Sequence, residues 1–137
     1  MSKEKIVLIG GGGHCRSIID VIEKEARFEI AGIIDVKEKI GSKVLNYDVI
    51  GCDEDIEAIS KKYNHFFITF GQGKSNEFRL KTYHLLKSLG VNLPVICSPL
   101  AHVSKHAVIS EGTAVMHGCI VNAGAKVGVN CILNTQS

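Results

Sequence analysis

Four consecutive glycines, Gly10 to Gly13, stand between the apolar run Ile6-Val7-Leu8-Ile9 and a stretch whose Ile18, Ile19, Val21 and Ile22 suit one face of a helix. A strand, a glycine-rich turn and a helix present backbone N–H groups and the positive end of a helix dipole to an anion. In an open α/β sheet such a turn lies at the carboxyl end of a strand, where ligands bind. His14 and Cys15 complete the turn. Asp35 follows the next apolar run about 20 residues on, where an acid meets a ribose hydroxyl. The dinucleotide fingerprint G-x-G-x-x-G fails, because its third glycine falls on Cys15 or Arg16, and no Lys-Ser or Lys-Thr makes a P-loop. NAD and FAD are therefore set aside, and a nucleotide other than a dinucleotide is the reading. The alternative is a tight turn that only packs helix on strand.

Gly71-Gln72-Gly73 follows Phe66–Phe70 at the same edge of the expected sheet, either as part of the site or as an ordinary turn. Arg79 reaches a phosphate, or is a solvated helix residue; taken alone, the solvated face is favoured. His14 serves the glycine loop. His102, His106 and His117 read as exposed or packing residues, so no catalytic residue is assigned. No histidine or cysteine spacing suggests a metal.

The elements that must position these groups alternate. Strands are expected at Ile6–Ile9, Ile30–Ile34, Phe66–Phe70 and Leu93–Cys97. Between them lie a helix ending near Ala26, a short helix capped by Asp53 and carrying Ile56, Ile59 and Tyr63, and a helix from Ser75 or Asn76 through Leu89, closed by Gly90. Strands alternating with helices imply a doubly wound parallel sheet.

A break in composition divides the 137 residues. Of the 30 Lys, Arg, Asp and Glu residues, only Lys105, Glu111 and Lys126 lie beyond residue 100. The boundary is placed at 98/99, where Pro99 ends the strand-like Leu93–Cys97. Net charge is +2, which offers no electrostatic reason for a nucleic acid or membrane partner. Neither a signal peptide nor a membrane span is expected. Five cysteines without a CxxC pair fit a reduced, cytoplasmic setting.

Beyond the boundary, Val103, Ile109, Val115, Val121, Val127 and Leu133 recur every six residues. Ala101, Ala107, Thr113, Cys119, Ala125 and Cys131 precede them by two, and Gly112, Gly118, Gly124 and Asn130 precede the last four by three. Such a repeat means a parallel β-helix: the aliphatic side chain points inward, the small one leaves room at the corner, and glycine or asparagine permits the turn. The fold class is thus α/β, a small Rossmann-like parallel α/β domain over 1–98 followed by an incomplete left-handed parallel β-helix over 99–137.

The segments Ile9–Cys15, Ile33–Val36, Phe70–Gly73 with Arg79, Ser98–Ser104 and Val127–Ser137 together resemble bacterial sugar acetyltransferases of the sialic-acid O-acetyltransferase and UDP-4-amino-sugar N-acetyltransferase type (NeuD/PglD-like). The likeness extends over essentially the whole chain. It implies acetyl transfer from acetyl-CoA to a nucleotide-linked amino sugar or a sialic-type (nonulosonic) acid in surface glycan biosynthesis. It implies a homotrimer with sites between neighbouring β-helices. By position, the UDP-sugar or sialic-type substrate would meet Gly10, Gly11, Gly12, Gly13, His14 and Asp35, with Gly71, Gln72, Arg79 and Asn134 as further contacts. The family often carries a second acid where this chain has Val36, and glycine where it has Cys15. The resemblance puts the catalytic histidine a few residues past Asn134–Ser137, so the chain is expected to be C-terminally truncated and to lack that base. The alternative is a non-catalytic nucleotide-sugar-binding or association module. An uncapped last coil predicts association through the β-helix.

Overall fold

The computed structural model describes residues 3–70 and 76–133. Its first part is a five-stranded sheet built from β1 (Glu4–Ile9), β2 (Phe28–Ile34), β3 (Lys43–Val44), β4 (Tyr47–Gly51) and β5 (His65–Ile68). The order is β3-β4-β2-β1-β5, parallel throughout except for the β3–β4 hairpin. The order runs outward from β1 to β2 and β4 on one side, and β5 lies on the other. The gap between the carboxyl ends of β1 and β5 is therefore the point where the winding reverses.

The apolar runs fold as buried strands because both faces are covered. Alternate residues of β1 enter two cores. Ile6 and Leu8 pack with Cys15, Ile18, Ile19 and Ile22 of α1 (Gly13–Glu25). Val7 and Ile9 pack with Ile56 of α2 (Ile56–Ser60) and Leu86 of α3 (Asn76–Ser88). Gly90, with φ +74, closes α3, whereas Ala26 takes the left-handed conformation after α1 at φ 61.

The second part is a stack of two-residue strands. They are β6 (Ile96–Cys97), β7 (His102–Val103), β8 (Val108–Ile109), β9 (Ala114–Val115), β10 (Ile120–Val121), β11 (Lys126–Val127) and β12 (Ile132–Leu133). They pair in parallel as β6-β9-β12, β7-β10 and β8-β11, which is three faces and 18 residues per coil. This is the left-handed parallel β-helix the six-residue period required. The inward aliphatics and small corner residues form one cluster around Val115, Cys119 and Val121. Gly112, Gly118, Gly124 and Asn130 all take positive φ, at 72, 75, 84 and 56. Cys97 adds an earlier inward rung in the same phase.

Two sequence expectations are corrected and one element is added. Leu93–Cys97 is not a strand of the α/β sheet: the chain touches the sheet only just before it, at the Asn92–His65 bridge, and Ile96–Cys97 pairs with β9 as the first strand of the coil stack. Asp53 does not cap α2. It opens a short 3-10 turn over Asp53–Asp55, whose Asp55 carboxylate accepts the Cys52 N–H at 2.8 Å. The β3–β4 hairpin was not expected, because β3 is too short to show a period.

One coil face is not solvated. Ile96, Ala114, Met116 and Ile132 join the α1 side of the sheet core, so the two parts share an apolar interior. Polar contacts frame this junction. Arg27 donates to the Val95 carbonyl at 2.6 Å, and the Tyr83 hydroxyl donates to Glu111 at 2.7 Å. Lys87 pairs with Glu111 at 2.9 Å. His117 bridges Ser98 Oγ at 2.5 Å and Asp20 at 2.8 Å.

Candidate functional site

The glycine loop leaves β1 at the reversal point and enters α1. Gly10 takes φ +112 and donates its N–H to the Ile34 carbonyl at 2.7 Å. A Cβ there would stand 2.9 Å from the Phe70 nitrogen, so glycine is required by both conformation and space. At Gly11 a Cβ would run into the Asp35 carboxylate. At Gly12 it would meet nothing within 4 Å. Gly12 is the N-cap of α1, no side chain caps it, and the first turn holds no acid. The end of α1 thus offers N–H groups and positive potential to an anion, beside space large enough to hold one.

That space is a cleft of about 420 Å³ between the ends of β1, β2, β4 and β5. Its floor is Gly10 to Gly12, with Ile9 and Ile34 behind. Asp35, Val36, Lys39 and Asp53 wall one end, and His14, Phe70 and Phe78 the other. Asp35 is oriented by its own turn, since one carboxylate oxygen accepts the Val36 N–H at 2.8 Å and its own N–H donates to the Gly51 carbonyl at 3.1 Å. The Phe70 and Phe78 rings lie 5.1 Å apart.

Of the expected site residues, Gly10, Gly11, Gly12, His14 and Asp35 are brought together at this cleft. Gly13 is the first residue of α1. Gly71, Gln72 and Asn134 lie outside the described residues. Arg79 is corrected on the solvated reading. It is only 5% exposed, so it is no solvated helix residue, and it lies off the cleft wall. Its guanidinium donates to the Phe70 carbonyl at 2.5 Å and to the Asn130 carbonyl and side-chain oxygen at 2.7 and 3.0 Å. Arg79 therefore ties the end of the β5 segment to a corner of the β-helix.

The sequence reading missed Thr69. It is fully buried, donates its hydroxyl to the Ile9 carbonyl at 2.9 Å and to the Gly10 carbonyl, and so pins the root of the loop. A lone polar residue inside Phe66–Phe70 was the available signal. Cys15 packs beside it, and burial pushes the thiol up to about 11, so it is an unreactive core residue. Burial first, then the Arg79 charge, lowers the His14 pKa, so its ring is neutral at pH 7. The buried His14 Nε2 has no hydrogen-bond partner among the described residues.

A second hollow of about 490 Å³ lies at the opposite end of the strands, beside Lys3, Phe28 and Tyr47. There the Tyr47 hydroxyl donates to Glu23 at 2.5 Å, and burial with that carboxylate pushes the phenol up to about 12. It has no helix N-terminus and sits at the amino ends of β1 and β2, so the glycine-loop cleft is the better ligand site. Among the described residues, no helix is long and apolar enough to cross a membrane.

Comparison with known proteins gives the family and the fold. The family described as the PglD N-terminal domain matches residues 5–86. A structure of PerB from Caulobacter crescentus in complex with CoA and GDP-perosamine is 30% identical, with a TM-score of 0.85 over 96% of this chain and 60% of that one. A histidine-to-asparagine mutant of perosamine N-acetyltransferase from the same organism, with the same ligands, gives 29% and 0.86 over 95% and 60%. The acetyltransferase domain of PglB from Neisseria gonorrhoeae FA1090 in complex with acetyl coenzyme A gives 26% and 0.82 over 97% and 62%. The chain thus spans about three-fifths of the length of each.

Proposed function

The chain belongs to the PglD N-terminal domain family, and on that premise we propose that it binds a nucleotide-linked amino sugar for N-acetylation by acetyl-CoA. The observation that carries this reading is the uncapped N-terminus of α1 opening, with Asp35, into one cleft at the carboxyl ends of the strands. The diphosphate lies on Gly10 to Gly13, and the Asp35 carboxylate accepts from the ribose hydroxyls. The sugar extends past His14 and Phe70 toward the coil stack. The relatives bound to CoA and GDP-perosamine support this substrate class. An amino sugar carried on a nucleotide suits the site better than a free sialic-type acid, which has no diphosphate to occupy the glycine cradle.

In the reaction the sugar amine attacks the thioester carbonyl of acetyl-CoA. The C–N bond forms, the C–S bond breaks, the CoA thiolate leaves, and a general base takes the amine proton. Among the described residues, His14 is the histidine that lines this cleft, and the family resemblance gives it no such role. His14 is neutral but lies at the loop, and His117 is committed to Ser98 and Asp20. Association as a trimer fits the exposed Leu100, Val108 and Ile120 on the outer side of the stack. Synthesis of surface glycans in the cytoplasm is the setting this chemistry suits.

Calorimetry with nucleotide-linked and free amino sugars tests the binding half. Saturable binding of the nucleotide-linked sugar alone is expected, and equal binding of the free sugar overturns the reading. Thiol release that needs both acetyl-CoA and the nucleotide-linked sugar tests the transfer half. Nucleotide-sugar binding with no such release in any longer form of the protein would favour a binding module.

A further inference from the structure

The cleft has two chemically distinct ends, and this orients its ligand. With the diphosphate on Gly10 to Gly12 and the ribose at Asp35, the base lies beyond Asp35, between the segment after β2 and the segment after β4. Beyond Asp35, three further side chains wall that end: Val36, Lys39 and Asp53. Val36 is half exposed and offers an apolar surface to a ring face. Lys39 and Asp53 take part in no ion pair among the described residues. Both side chains are exposed, and a carboxylate and an ammonium therefore stand at one end of the cleft.

The edges of the bases differ in how they meet such a pair. Guanine presents the O6 acceptor beside the N1–H and N2–H donors. A carboxylate accepts both donors at once, and an ammonium donates to O6. Uracil presents a single N3–H between two carbonyl oxygens. A carboxylate that accepts N3–H holds its own oxygens against O2 and O4, and like partial charges repel. Adenine offers one amino group and no second adjacent donor, so it makes half of the carboxylate contact. Resting on the nucleotide-sugar reading above, we propose that Asp53 and Lys39 select guanine, so that the sugar carrier is a guanosine diphosphate and not a uridine diphosphate. Asp53 is the specificity-determining residue, and Lys39 supports it.

The test is calorimetry of the purified chain with GDP, UDP and ADP at one fixed salt concentration, repeated with Asp53→Ala and Lys39→Met. GDP should bind about tenfold or more tightly than UDP or ADP, the scale of one bidentate base contact. Asp53→Ala should lower GDP affinity by about that factor and leave UDP affinity unchanged. Lys39→Met should lower GDP affinity less. Melting curves that match the parent chain keep these losses from being read as misfolding. UDP or ADP binding as tight as GDP overturns the proposal and leaves the nucleotide-sugar reading standing, as does an Asp53→Ala change that weakens GDP and UDP alike. If no nucleoside diphosphate binds, the nucleotide-sugar reading fails and the base selection falls with it.

Discussion

At the scale of the residue, the glycine loop divides its work among positions that look identical in sequence. Gly10 is structural: its φ of +112 and the close Phe70 nitrogen leave no room for a side chain. Gly10→Ala should cost about 1–3 kcal/mol of stability in urea unfolding. Gly12 is not held by shape: its φ of −75 suits any residue and a Cβ would meet open space. Gly12→Asp should cap α1 and leave stability the same or higher by a few tenths of a kcal/mol. The same carboxylate would occupy the anion cradle and cut nucleoside diphosphate affinity at least about tenfold. Opposite signs for stability and binding are the signature of a helix end left uncapped for a ligand. His14 adds a pH effect. Its folded pKa lies below the ordinary 6.5, so its contribution to stability is present above pH 6.5 and is lost as pH falls through the lower folded value. His14→Gln should remove that part of the acid loss in thermal melts between pH 7 and 5.

At the scale of the element, the junction between sheet domain and coil stack depends on α1 and α3. Arg79→Met leaves the Phe70 carbonyl and the Asn130 oxygens without their donor and should cost about 1–3 kcal/mol. Amide exchange should quicken around Asn130 and Phe70 more than in β2. Glu111 is the acceptor for Tyr83 and Lys87, and these two hydrogen bonds hold its carboxyl below the usual range. Its contribution is therefore present above pH 4.5 and lost as pH falls through the lower folded value. Because the pair is partly exposed, Glu111→Ala should cost only about 1 kcal/mol. The coil stack was the most legible part of the chain, since a six-residue phase shared by inward, corner and turn positions admits one winding. The sheet was legible where strands are buried on both faces, as at Ile6–Ile9. It was not legible at Lys43–Val44, too short to show alternation, nor at Ile96–Cys97, whose pairing with β9 is set by tertiary stacking.

At the scale of the whole molecule, the coil face Ile96, Ala114 and Ile132 merges with the core under α1, so the helix that follows the glycine loop and the β-helix share one apolar interior. Residue types alone located the glycine loop and Asp35. They did not reveal the inward turn of Arg79 or the pinning by Thr69, because both depend on where β5 and the coil corners meet. The outer coil side chains Leu100, Val108 and Ile120 should drive self-association, so Ile120→Lys should shift light scattering toward smaller species without lowering the melting temperature. Unchanged mass would remove Ile120 from the interface.

The central claim is that the open N-terminus of α1 holds the diphosphate of a nucleotide-linked sugar. Amide chemical-shift mapping during titration with a nucleotide-linked amino sugar tests it most directly. Saturable shifts centred on Gly11, Gly12, His14 and Asp35 are predicted, with Ile120 and Lys126 unmoved. Shifts absent from the loop, or centred on the hollow by Lys3, Phe28 and Tyr47, would contradict it.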